Sequence, residues 1–210
     1  PRAQFLLRGL REQAGGDDLS GLEVLDLGCN DGWLGLWLVG TCGVGRYVGM
    51  DLSAEALRVA RGYREEHYAD VAGRIDYRDQ RVDQRVPEGE WFDAVVSFEV
   101  IEHVPSPALL IATAASACKA EGRVYLSTPN GAYERGHVRD WNDNAPRGHV
   151  RALRARDMVG LALDQGAVEA VEETTDRLVC VSLTPGYRKG TLDFYLGPAA
   201  GTWSPRDSLH

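Results

Sequence analysis

Short apolar runs rich in Val, Ile, Leu and Tyr alternate along this chain with amphipathic stretches of helical period. That alternation leaves few folds open, because strands separated by helices pair in parallel and hide both faces of one sheet under helices. The order can be read off. Gln4 to Gln13 has helical spacing, Val24 to Leu27 is a first strand, Trp33 to Val39 a helix and Tyr47 to Met50 a second strand. Ala54 to Glu66 is a helix, Arg74 to Tyr77 a weak third strand and Phe92 to Phe98 a strong fourth. Ser106 followed by Pro107 supplies a helix cap with proline in the first turn, and Gly122 is the expected end of that helix. Val124 to Ser127 makes a fifth strand, Arg156 to Asp164 a helix ending at Gly166, and Val168 to Glu172 and Leu178 to Leu183 two closing strands. The turn-like Thr174 to Asp176 joins that last pair so tightly that it should be antiparallel.

At 210 residues the chain is the size of one α/β domain. A net charge of -8 disfavours a broad grip on a phosphate backbone, which needs clustered cations, so nucleic acid is an unlikely partner class. Cys29, Cys42, Cys118 and Cys180 are scattered without a CxxC pair, which points to reduced thiols and a cytoplasmic setting rather than zinc or a disulfide framework. No run of 18 apolar residues and no charged-then-apolar leader is present, so no membrane span is expected. The first residue is Pro1 rather than Met, as expected of a segment of a longer protein.

The first strand leaves through Asp26-Leu27-Gly28-Cys29-Asn30-Asp31-Gly32 and enters a helix. Gly28 and Gly32 would let a ligand lie against bare backbone beyond the carboxyl end of a parallel strand, which is where open α/β sheets bind ligands. A dinucleotide fingerprint would want glycines where Asn30 and Trp33 stand, so NAD fits poorly. Asp51 ends the second strand, placed to accept two hydrogen bonds from the cis hydroxyls of a ribose.

Together VLDLGCNDGWLG, YVGMDLS and FDAVVSFEVIEHV resemble the successive motifs of class I S-adenosylmethionine (SAM)-dependent methyltransferases, over roughly residues 20 to 185. The resemblance implies a Rossmann-like α/β fold: a mostly parallel seven-stranded sheet with an antiparallel closing strand and helices on both faces. It also implies a cofactor site. Gly28 and Gly32 would pass close to the methionine part of SAM, with Cys29, Asn30 and Trp33 in or beside the same loop. Asp26 would sit near the amino group, Asp51 and Leu52 at the ribose, Asp79 or its neighbour Gln80 at the adenine amine, and Phe98 and Glu99 at the end of the fourth strand. Asn30 departs from the usual glycine, but Asn tolerates left-handed backbone.

Glu99, Glu102 and His103 follow the fourth strand, where the transferable methyl should point. His103 is a candidate base for an alcohol, either directly or by way of a metal-bound oxygen. Two carboxylates and an imidazole, with His149 as a further ligand, suit Mg²⁺ or Mn²⁺ better than zinc. This ExxEH set resembles the metal site of RNA 3′-terminal 2′-O-methyltransferases. It also resembles the equivalent segment of ubiquinone-biosynthesis O-methyltransferases and of many sugar and antibiotic methyltransferases. The histidine-rich downstream stretch of the RNA family is absent from the sequence.

Between Asn130 and Val150 lie Tyr133, His137, Arg139, Asp140, Trp141, Asn142 and Arg147, a mixture able to stack on a ring and grip hydroxyls. A methyltransferase domain is expected over residues 1–190. Residues 191–210 are set apart, because Leu192 to Leu196 and the turn-rich Gly197 to Pro205 resemble the opening of a GT-B-type glycosyltransferase domain. The expected reaction is O-methylation of a sugar, glycan or other small hydroxylated molecule. The alternatives are a phenolic or quinone precursor, an RNA terminus, or a module that binds SAM without transferring its methyl.

Overall fold

Successive side chains of a strand point to opposite faces, and here the two faces are covered by different helices. In the computed structural model, which describes residues 2–82, 86, 89–131, 152–164, 167–174 and 178–185, the elements are α1 (Arg2–Ala14), β1 (Glu23–Leu27), α2 (Trp33–Gly40), β2 (Arg46–Asp51), α3 (Ala54–His67), β3 (Ile75–Asp79), β4 (Phe92–Phe98), α4 (Pro107–Ser116), β5 (Cys118–Pro129), α5 (Ala155–Asp164), β6 (Ala167–Thr174) and β7 (Leu178–Pro185). Leu25, Leu27, Val48, Met50, Val95 and Leu126 face one way and pack with Leu110 and Ile111 of α4 and Met158 and Val159 of α5. Val24, Tyr47, Ile75, Tyr77, Ala94 and Val96 face the other way, onto Phe5, Leu6 and Leu10 of α1, Leu34 and Leu38 of α2 and Leu57 of α3.

The sheet has seven strands in the order β3-β2-β1-β4-β5-β7-β6. The pairs from β3 through to β5 are parallel, whereas β7 is antiparallel to both β5 and β6. The expected seven-stranded, mostly parallel sheet with an antiparallel closing strand is therefore what forms. The chain runs outward from β1 to β3 and then returns to place β4 on the other side of β1. That reversal opens a crevice beyond the carboxyl ends of β1 and β4, the usual ligand position in such sheets.

Ser106 caps α4 as expected, its Oγ accepting from Leu109 N–H at 3.3 Å, with Pro107 in the first turn. The far end differs from the sequence reading. The helix stops at Ser116, and Gly122 lies inside β5. Cys118 already pairs with Phe92, and the register then shifts before Arg123 meets Ala94. Gly122 is needed there because a Cβ would collide with Cys118 Sγ and with the carbonyls of Phe92 and Asp93, a close backbone approach inside a strand. No helix among the described residues is long and apolar enough to cross a membrane. His149, the Tyr133–Arg147 segment, Gly166 and residues 191–210 lie outside the described residues.

Candidate cofactor and catalytic site

The loops that follow β1 and β2 are tied to each other by backbone donors. Gly28 and Cys29 N–H both donate to the Met50 carbonyl, at 2.8 and 3.0 Å, and so bend the chain sharply off the strand. Asn30 N–H donates to Asp51 Oδ2 and Ser53 N–H to Asp51 Oδ1, each at 2.8 Å. Asp51 is thus held in one orientation by the protein itself, and each oxygen keeps a lone pair for a ligand. Gly28 has φ 90° and Gly32 φ 73°, where a side chain would be strained. A Cβ on Gly28 would also drive into Val100, and one on Gly32 into the Tyr77 hydroxyl. Asn30 adopts φ 49°, the left-handed conformation expected of it.

A cavity of about 570 Å³ lies over this turn. Asp26, Gly28, Cys29, Asn30, Trp33, Asp51, Leu52, Phe98, Glu99 and His103, all singled out from the sequence, line it. Gly32, Asp79, Gln80 and Glu102 do not. Gly32 instead opens α2, and its carbonyl accepts a hydrogen bond from Tyr77 at 2.9 Å. Asp79 is exposed beside Asp51 in the β2–β3 register, and Gln80 N–H donates to the Asp51 carbonyl. The next two residues, Arg81 and Val82, reach the cavity in their place. Arg2 at the start of α1, Leu34 of α2, and Val100, Val104 and Pro105 after β4 complete the wall. None of these was singled out from the sequence as a site residue: a helix N-terminus far from the motifs gives no local signal, and Val104 and Pro105 carry no polar side chain to mark them.

Asp26 is buried, and its Oδ2 accepts from the Tyr47 hydroxyl at 2.6 Å. Burial, opposed by that hydrogen bond and assisted by the charge of Asp51, pushes its carboxyl up to about 7. Between its ordinary value and about pH 7 the folded chain therefore keeps a proton that the unfolded chain has released. Stability must fall as pH rises through that window and level off above it. Asp26→Asn should accordingly raise the melting temperature at pH 8 while leaving it nearly unchanged at pH 4.5. Equal shifts at both pH values in a thermal melt would show that the carboxyl ionises normally.

Beyond β4, Glu99 adopts φ 58°, an uncommon conformation for a non-glycine residue. It is held there from β5: Glu99 N–H donates to the Ser127 carbonyl at 3.0 Å and its Oε1 accepts from Ser127 Oγ at 2.8 Å. Glu102 turns inward instead, 1% exposed, with Oε2 accepting from Thr128 Oγ1 at 3.1 Å. His103 lines the cavity with Glu99, its side chain 39% exposed and its Nε2 3.9 Å from Glu102 Oε1. Among the described residues no three carboxylate, imidazole or thiol groups are disposed to hold one metal ion. As they stand, Glu99, Glu102 and His103 do not fit Mg²⁺ or Mn²⁺, because the buried Glu102 is turned off the cavity that Glu99 and His103 line.

A glycine turn off β1, a carboxylate closing β2 and a crevice at the strand-order reversal make a nucleoside-binding site on a Rossmann-like α/β sheet. Residues 2–168 match the family described as methyltransferase domain, and the chain belongs to that family. A ubiquinone biosynthesis O-methyltransferase from Methylobacterium sp. (strain 4-46) is 37% identical over 122 residues, covering 57% of this chain and 46% of that protein. One from Idiomarina loihiensis is 29% identical over 167 residues, covering 74% of this chain and 65% of the relative. The chain thus spans about half the length of the first of these curated relatives. Among solved structures, the magnesium protoporphyrin IX methyltransferase of Synechocystis PCC 6803 with bound SAH superposes with a TM-score of 0.66 at 18% identity, over 86% of this chain and 80% of that one. The [4+2]-cyclase SpnF superposes almost as well, with a TM-score of 0.64 at 18% identity over 80% of this chain and 58% of that one. Likeness at that distance shows the fold alone.

Proposed function

We propose that this chain transfers a methyl group from SAM to a hydroxyl of a small molecule. The observation that carries the reading is that His103 shares one cavity with Asp51 and the Gly28 turn, so a base and a nucleoside-binding carboxylate face the same ligand volume. A volume of about 570 Å³ suits a nucleoside-sized ligand with an acceptor beside it. Bound SAM supplies an electrophilic methyl on its sulfonium. Asp51 would hold the ribose hydroxyls, Leu52 and the Arg81–Val82 segment would border the base, and Asp26 and Arg2 would offer opposite charges to the ammonium and carboxylate of the amino-acid part. In-line displacement then needs alignment above all, with His103 taking the acceptor proton. Glu102 stabilises the imidazolium that results, from 3.9 Å behind it.

The names of the relatives support a phenolic acceptor, whose proton an imidazole removes more readily than that of an aliphatic alcohol. A sugar or glycan acceptor is the second reading, suggested by the resemblance of the run Leu192–Pro205 to a glycosyltransferase sequence. The test is transfer of label from methyl-labelled SAM into a fractionated extract, with and without a chelator. Label in a lipid-extractable phenol supports the first acceptor, and label released by glycosidases supports the second. Binding of S-adenosylhomocysteine (SAH) with no transfer to any fraction would replace both by a non-catalytic SAM-binding module. Loss of transfer in the chelator would bring the metal reading, with His149, back into play.

A further inference from the structure

Tyr47 lies on β2 with its side chain wholly buried, its ring meeting Tyr77 edge-on at a centroid separation of 6.2 Å. A phenylalanine would fill this space equally well, and the ring already packs against Gly35 so closely that no Cβ could stand there. The hydroxyl is therefore the part in need of explanation, and it donates to Asp26 Oδ2 at 2.6 Å. Among the described residues no other side chain donates to Asp26, and its strand neighbours on either side of β1, Gly49 and Val96, carry no side-chain donor. Asp26 meanwhile lines the cavity, so its second oxygen is the one a ligand can meet.

We propose that Tyr47 is a positioning residue for cofactor binding, its buried hydroxyl holding the Asp26 carboxylate oriented and ionised so that it can receive the ammonium of the donor's amino-acid moiety. The proposal rests on the reading given above, in which Asp26 meets that ammonium. The surroundings make such help necessary. Asp51 at the end of β2 faces Asp26 with like charge, and the Cys29 thiol and Tyr77 hydroxyl near it are kept neutral by burial. From β4 the register partner is the apolar Val96. Across the cavity stand Arg2, Glu99 and His103, from α1 and the turn after β4. Among the described residues Tyr47 alone donates a side-chain hydrogen bond to Asp26, and a donor favours the charged form. With the carboxyl balanced near neutrality, arrival of an ammonium must expel a proton from it, so cofactor affinity should rise with pH through the neutral range.

Tyr47→Phe keeps the packed ring and removes only the donor. A hydrogen bond to a charged group is strong enough to move the ionisation by about one to two pH units. The experiment is calorimetric titration with SAH between pH 5.5 and 8.5, in two buffers of different ionisation heat, so that protons released on binding are counted. The wild type is expected to release protons near neutrality and to bind more tightly as pH rises. In Tyr47→Phe the release profile should move about one to two units alkaline, with SAH bound roughly five- to fiftyfold more weakly at pH 7 and the difference narrowing as pH rises toward 8.5. A release profile superimposable on the wild type's, or a weakening uniform across pH, overturns the role given to Tyr47. Asp26→Asn separates the two layers of the argument, since it should bind weakly at every pH and release no proton. If it binds and releases as the wild type does, the Asp26 assignment itself falls and the proposal with it, whereas failure of the wild type to bind SAH defeats the cofactor reading first.

Discussion

Asp51→Ala is expected to weaken SAH binding by roughly two to four orders of magnitude, because two hydrogen bonds to a charged acceptor are lost at about 1.5–3 kcal/mol each. The effect has a second source inside the protein. Asp51 also accepts from Asn30 and Ser53 N–H, so its removal frees the turn that shapes the cavity floor as well as the ribose contact. The two contributions can be separated. In Asp51→Asn one of the side-chain termini becomes an amide donor, and it must then face either the Asn30 or the Ser53 N–H, donor against donor. The amide variant should therefore bind SAH almost as poorly as the alanine variant and melt no higher. Isothermal titration and a thermal melt of each variant check this, and an alanine variant that binds within threefold of the wild type would remove Asp51 from the site.

The same residue shows why so much of the site was legible beforehand. A carboxylate closing a strand and a pair of glycines opening the preceding turn are local features, each readable within a dozen residues, and the order of strands places them in one crevice. Asp26, Gly28, Asn30, Trp33, Leu52 and Phe98 reach the cavity for that reason. What the sequence could not show depends on side-chain direction and on partners distant along the chain. Asp79 was expected just after the third strand, but β3 runs on to include it, and it stays exposed while Arg81 and Val82 line the cavity. Glu102 directly precedes the cavity-lining His103 yet turns into the core, where the Thr128 hydroxyl of β5 donates to it. The left-handed backbone of Glu99 likewise depends on Ser127, 28 positions away. No periodicity within the EVIEHV segment encodes either partner.

Elsewhere the strand register set limits that composition did not reveal. The α4 helix was expected to run on to Gly122, and its apolar, alanine-rich sequence gives no local stop signal near Ser116. The end is imposed by β5, which begins pairing with β4 at Cys118 and uses Gly122 to pass close to the β4 backbone. Tertiary pairing there overrides helix propensity. The alternation of β2 behaves oppositely and was open to reading: Tyr47 and Gly49 fall on the α1–α3 face and Val48 and Met50 on the α4–α5 face, so a polar hydroxyl at Tyr47 had to find its partner on the Asp26 side of β1.

His103→Ala should leave SAH binding within about threefold of the wild type and lower kcat by roughly 10²–10⁴, the usual range for a lost general base. The imidazole is 39% exposed and stands on the cavity wall, so its removal opens space without unpacking the core. Free imidazole added to the variant should therefore restore part of the lost turnover, which a merely structural loss would not allow. Glu102→Gln should cost less, about tenfold, since the carboxylate acts through the ring at 3.9 Å and touches no ligand. The size of the His103 effect also reports on the acceptor. An acceptor already acidic enough to ionise in part near neutrality needs little help from a base, so for a phenol the loss should sit at the low end of the range and shrink as pH rises. For a sugar hydroxyl, ionised to no useful extent at any pH the protein survives, the loss should sit at the high end and persist. Rate measurements on His103→Ala across pH thus discriminate the two acceptor classes by the slope of the residual activity, and unchanged kcat at every pH would take His103 out of the reaction.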